Sequence, residues 1–120
     1  IPAFSASTSN SGWVYDTANT SGSYVKIGQK VILNGYVKIT STGSSVGPVY
    51  VTNFPFAIGA GAINYSPISI GYHSSLAATV AAPVGYGALG TSVATLLKNS
   101  LGSATTLNVT DLTNNDIGHI

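Results

Sequence analysis

Hydrophobic and polar residues alternate along much of this chain, with the period of two that a half-buried strand requires. Over residues 30–40 the alternation puts Val31, Leu33, Val37 and Ile39 on one face. Lys30, Asn34, Tyr36, Lys38 and Thr40 fall on the other, with Ile32 the exception. Gly35 inside this run predicts a bulge or a close backbone approach. A Gly/Ser-rich turn over 41–47 leads into a second alternating run, Val49-Tyr50-Val51-Thr52-Asn53-Phe54, and Pro55 ends its pairing capacity. The two runs are expected to pair as a hairpin. Upstream, residues 23–27 read as a short strand that Gly28-Gln29 turns into the run beginning at Lys30. Phe4 is expected to anchor an edge segment. Further short candidates are 63–65, 68–72, 77–80, 88–97, 107–110 and 116–120. Val93, Leu96, Leu97 and Leu101 also fit helical spacing, but Thr91, Val93 and Thr95 weaken a helix and no cap starts one, so a strand is expected there. Short strands separated by turn residues indicate an all-β sandwich or barrel. With 120 residues, no internal repeat and no linker, one domain is expected over 1–120.

Composition adds a constraint. Charged residues make up 6% of the chain, against about 25% in an ordinary globular domain. The four cations are all Lys, at 26, 30, 38 and 98, and the three anions are all Asp. A surface so poor in charge favours association, so copies of the chain are expected to cover part of it. The scattered lysines form no basic stripe, which argues against nucleic acid as a partner. There is no Cys for disulfide or thiolate chemistry. No apolar run approaches the roughly 20 residues of a membrane helix, so no membrane insertion is expected. The opening Ile-Pro-Ala-Phe lacks the charged and apolar regions of a signal peptide, as in a domain cut from a longer protein.

Three segments together resemble a known family. Gly22-Ser23-Tyr24-Val25-Lys26-Ile27-Gly28-Gln29-Lys30-Val31 is similar to a "G-x-Y-x-K-I-G-x-x-V" segment common near the ends of phage tail fibres and tailspikes. Gly35-Tyr36-Val37 continues it, and Val49-Tyr50-Val51-Thr52-Asn53-Phe54-Pro55-Phe56 looks like that family's second conserved-looking segment, in the same order and spacing. Residues 107–117 look like its closing strands, although the family's further Gly-Thr-Tyr-like strand is missing. The resemblance implies the C-terminal receptor-binding tip of a longer fibre or spike: a small antiparallel β-sandwich, jelly-roll-like, packed as a homotrimer. It implies an extracellular place on the virion and contact with a bacterial surface glycan or outer-membrane receptor. The motif residues themselves suit fold roles. Tyr24 can bridge a core and a wet edge, Gly28 permits the tight turn, and Pro55 lets Phe54 and Phe56 leave the sheet to plug its end.

Catalysis is hard to build from these residues, and neither an enzyme nor a cofactor is expected. Asp111 and Asp116 are the one close carboxylate pair, and a glycosidase needs two carboxyls about 5 to 9.5 Å apart in a cleft. Their bland reading, shared by Asp16, is turn chemistry. His73 precedes Ser74-Ser75, but no Gly-x-Ser-x-Gly elbow occurs. No metal site is expected; three copies of His119 meeting on a threefold axis are the alternative. The sequons at Asn19, Asn64 and Asn108 are what chance supplies in a chain this rich in Asn, Ser and Thr. Saccharide binding is the better candidate, through aromatic faces plus hydroxyl and amide groups, and low charge suits neutral glycans with little salt dependence. Trp13, Tyr15, Tyr72, His73 and Tyr86 are the candidate ligand contacts. Trp13 and Tyr15 fit a core or subunit interface equally well. The competing function is structural: trimerisation and capping of the fibre without receptor contact.

Overall fold

A computed structural model of the chain describes residues 3–6, 11–59, 65–74, 76–78, 80–100 and 103–112. These contain the strands β1 (Ala3–Ala6), β2 (Val14–Tyr15), β3 (Ser21–Ile27), β4 (Lys30–Tyr36), β5 (Ile39–Ser41), β6 (Val49–Thr52), β7 (Ser66–Ser69), β8 (Ala82–Gly87), β9 (Ala94–Ser100) and β10 (Ser103–Thr106). A single 3-10 turn, η1 (Val109–Asp111), follows them. Every strand pairing is antiparallel. The architecture is all-β and does not close into a barrel. The largest sheet runs β1-β6-β9-β8-β7, and β6 and β10 lie end to end along the same edge of β9. Two small sheets, β2-β5 and β3-β4, accompany it.

The expected hairpin between 30–40 and 49–54 does not form. The 30–40 run divides into β4, which pairs with β3, and β5, which pairs with β2; β6 pairs instead with β1 and β9. The reason is loop closure. Gly28 adopts φ 59°, so a two-residue link closes β3 onto β4 at lower entropic cost than the 41–47 loop would incur. Gly35 makes no bulge; it sits in register opposite Gly22. The ambiguous segment near residue 96 is a strand, but it starts only at Ala94, because residues 88–91 turn the chain from β8 into β9 with Gly90 at φ 73°. The candidate at 68–72 shifts to β7. Residues 77, 78 and 80 are not in a strand, and the expected strand at 107–110 is a bridge at Asn108 followed by η1. Candidates at 63–64 and 116–120, and the side chain of Phe4, lie outside the described residues. β8 itself was not foreseen, since Pro83, Gly85 and Gly87 read as loop. Pro83 is tolerated because only β9 flanks it, and Pro67 because β7 is an edge.

The core is one cluster. Val37, Ile39, Val49, Val51, Ala94, Leu96 and Leu107 are fully buried, joined by Val80, Val109 and Leu112. In β6 the alternation is plain: Val49 and Val51 are buried while Tyr50 and Thr52 are half-exposed. Leu107 seals the gap between β10 and β6, donating its N–H to the Leu96 carbonyl at 2.9 Å and accepting from the Val49 N–H at 2.7 Å.

The β3–β4 ribbon is tied to this body at its base. The Thr20 hydroxyl is buried, donates to the Asp16 carbonyl at 2.8 Å and accepts the Lys38 N–H at 3.2 Å. Beside it the Asp16 carboxylate accepts from the Asn19 amide at 2.8 Å and faces the Lys38 ammonium at 3.4 Å. The Asn19 hydrogen bond, aided by Lys38, holds the Asp16 carboxyl below its ordinary range against the opposing effect of burial. A depressed folded-state value means the stabilisation is present above the unfolded value of about 4 and fades as pH falls below it. Thermal melts from pH 5 down to pH 2 should therefore show a shallower acid loss for Asp16→Asn than for the parent chain; parallel curves would refute this coupling.

Candidate functional site

Between the β3–β4 ribbon and the sheet lies a cleft of about 460 Å³. Three separate segments build its walls, and Gly87 of β8 adds to the lining. The turn and β4 contribute Gln29, Val31, Leu33 and Asn34; the segment after β6 contributes Phe54, Phe56 and residues 57–59; the edge strand β7 contributes Ser66 to Ser69. A smaller hollow of about 160 Å³ opens on the other side of Phe54 and Leu33, under Ser23 and Tyr24.

Each wall has a local cause. Asn53, at φ 64°, turns the chain out of β6, and Pro55 offers no donor for further pairing. Phe54 and Phe56 thus leave the sheet, both half-buried. Tyr24 meets the Phe56 ring edge-to-face at 5.2 Å between centroids, and the Lys26 ammonium lies over that ring, 4.9 Å from its centroid. These contacts dock the ribbon on the 54–59 segment. Ile58 fixes the far end of the segment: its N–H donates to the Thr91 carbonyl at 2.7 Å, and its carbonyl accepts from Gly90 at 2.8 Å. The Ile58 side chain occupies the space where a Cβ on Gly87 would stand.

Among the described residues no ionic side chain lines the cleft. Its polar groups are the Gln29 and Asn34 amides and the Ser66 and Ser69 hydroxyls, set among two phenyl rings and aliphatic side chains. Such a surface can stack on the C–H face of an uncharged ring and exchange hydrogen bonds with its hydroxyls.

The residues singled out from sequence are elsewhere. Trp13 and Tyr15 are half-buried and pack against the core cluster. Tyr86 stands in the interior strand β8, opposite Pro67, and meets Tyr65 edge-to-face at 4.9 Å. Tyr65 is 62% exposed and Tyr72 52% exposed, and His73 is half-buried. None of the five lines the cleft. Phe54 and Phe56 were read from sequence as end plugs only; the usable signal was an aromatic on each side of a strand-ending proline. Asp111 is held by Lys98, and Asp116 and His119 lie outside the described residues, as does Asn64. Against models of known protein families, curated proteins and solved structures, the chain has no match.

Proposed function

We propose that this chain is the receptor-binding tip of a phage tail fibre or tailspike, a jelly-roll-like β-sandwich that works as a homotrimer on the virion and grips a bacterial surface glycan without catalysis. The single observation that carries the reading is the cleft: phenyl walls, amide and hydroxyl groups, and no ionic lining among the described residues. The resemblance over residues 22–56 supports it, because those residues supply the ribbon wall of the cleft and both of its phenyl rings. Multivalency supplies the affinity, since weak sites repeated on a rigid assembly gain avidity without tighter single contacts.

Phe56→Ala removes a wall ring and should weaken binding to surface polysaccharide by about tenfold, the usual scale for losing one stacked aromatic. Gln29→Ala, at an exposed cleft position, should weaken it while leaving the melting temperature unchanged. Binding of the labelled chain to a panel of bacterial cells, before and after periodate oxidation of their glycans, is the measurement. Binding that survives periodate and is lost on protease treatment points to a protein receptor and sinks the glycan reading.

A structural role is the second reading, favoured by the outward face of the ribbon. Val25, Ile27 and Ile32 are 57%, 66% and 45% exposed there, and Val25 lies directly opposite Ile32. This largely apolar face, with Lys30 opposite Ile27 at its tip, suits packing against a second copy of a chain this poor in charge. Light scattering should give three times the chain mass, and Ile27→Lys should shift it to the monomer with the fold intact. Loss of trimer without loss of glycan binding per chain separates the two roles.

A further inference from the structure

Of all the asparagines in the chain, Asn34 alone is followed by glycine. Both residues of this step lie in β4, with Asn34 exposed and Gly35 half-buried. Two features of the ribbon leave the step open. The first is the hydrogen-bond pattern. In a two-residue hairpin the closing pair, here Ile27 with Lys30, exchanges both backbone bonds, and bonded and non-bonded pairs alternate from there. Val25–Ile32 and Ser23–Asn34 are then the next bonded pairs, and Gly22–Gly35 is a non-bonded one. The Gly35 N–H therefore points away from β3. β4 has no second neighbour in its sheet, so among the described residues this N–H has no backbone partner. The second feature is the facing glycine. A non-bonded pair is held by contact between its side chains, and Gly22 opposite Gly35 supplies none. Neither kind of cross-strand tie is present at Gly35.

We propose that Asn34-Gly35 is a site of spontaneous modification, at which Asn34 deamidates through a succinimide and the wall of the cleft changes with it. The Gly35 nitrogen attacks Cγ of Asn34. The N–Cγ bond forms, the Cγ–Nδ2 bond breaks, and ammonia leaves with the proton that Gly35 gives up. Water then opens the ring at either carbonyl. One product carries aspartate at position 34; the other is isoaspartate, whose main chain runs through the side-chain carbon. Glycine suits the attack because it has no Cβ to obstruct it and turns readily out of the extended conformation that ring closure must leave. The chemistry does not depend on which ligand the cleft takes. Asn34 lines both the cleft and the smaller hollow beside it. Either product puts a carboxylate on a ribbon whose only charged groups are Lys26 and Lys30. Isoaspartate also adds a carbon to the main chain of β4, so the register of Tyr36 with Ser21 no longer matches that of Leu33 with Tyr24.

The test incubates the purified whole chain at neutral and at mildly alkaline pH. Its asparagine peptides are then followed by mass spectrometry, with isoaspartate detected by enzymatic methylation. Asn34 should convert severalfold faster than Asn53 or Asn99, which are also exposed. Conversion should be faster at the higher pH, because the attacking species is the deprotonated amide. Gly35→Ala should slow it severalfold. Gly22→Val keeps the Asn-Gly sequence but restores a side chain to the facing position. It should also slow conversion severalfold, which a reaction set by sequence alone would not do. The isoaspartate form, separated by chromatography, should exchange its amide hydrogens faster across residues 21–36 than Asn34→Asp, which has the charge without the extra carbon. Conversion of Asn34 no faster than that of Asn53 and Asn99 overturns the site. Equal rates in the parent chain and Gly22→Val overturn the role given to the ribbon. Equal exchange in the isoaspartate form and Asn34→Asp overturns the change in the wall.

Discussion

Asp111→Ala will destabilise the domain by on the order of 4 kcal/mol, the scale for removing one partner of a buried ion pair. Asp111 is 6% exposed. Both of its carboxylate oxygens lie 2.8 Å from the Lys98 ammonium, and one also accepts the Asn108 N–H at 2.9 Å. Truncation leaves the ammonium, whose side chain is 22% exposed, without its counter-charge. It also removes the acceptor that caps η1. The cost is in the orphaned partner more than in the lost attraction. Replacing both residues, Asp111→Leu with Lys98→Met, should therefore recover most of the loss. Urea denaturation of the parent chain and the two variants is the measurement. A single-variant loss below about 1 kcal/mol would show that water reaches Lys98 freely.

Gly43→Ala will cost about 3 kcal/mol, for two separable reasons. Gly43 adopts φ 58°, and a Cβ there would meet the Gly12 carbonyl at 2.5 Å and collide with the Ser11 carbonyl oxygen. These are backbone atoms and cannot swing aside. Segment 11–12 is held against the turn by Ser45, whose buried hydroxyl donates to the Ser11 carbonyl at 3.1 Å and accepts its N–H at 3.0 Å. Pushing it away loosens Trp13 and β2 from the core. Gly28→Ala is the control: φ is 59° there too, but nothing lies within 4 Å of the added Cβ. It should cost only about 1 kcal/mol of left-handed strain. Equal losses at the two positions would mean that the close approach to segment 11–12 is not a stabilising contact.

Local features were legible where the cause is local. The Gly28 turn and the alternating residues around it specify the β3–β4 ribbon, and the alternation that buries Val37, Ile39, Val49 and Val51 is visible in the sequence, although the same spacing puts Val31 and Leu33, which line the cleft instead, on the face of Val37 and Ile39. Asp16 and Asp111 in turns follow from the same kind of reasoning. β8 was hidden because Pro83, Gly85 and Gly87 have loop-like propensities, and only the neighbours explain them: β9 supplies the pairing, and Leu96, Ile68 and Ile58 use the space that missing side chains leave. The pairing of β6 was misread because a sequence-adjacent hairpin is the simplest guess, whereas β9, more than forty residues on, is the observed partner. The cleft was illegible for a stronger reason. Its lining comes from 29–34, 54–59, 66–69 and Gly87, and no spacing rule links them. Aromatic residues near glycines drew attention to Trp13 and Tyr72, while whether an aromatic becomes core, wall or surface is decided by what folds over it.

The ribbon also has the proportions of a lever arm. Seven residues per strand at about 3.3 Å each make it roughly 23 Å long. Its fulcrum is the buried Thr20 hydroxyl, and its free tip, Gln29, forms one lip of the cleft. A pivot of only 10° at such a base displaces such a tip by about 4 Å, close to the thickness of one sugar ring. The width of the cleft is accordingly sensitive to the base of the ribbon as well as to the Tyr24 and Lys26 contacts on Phe56 that dock it, and Thr20→Val, at a residue that lines no part of the cleft, is expected to change that width.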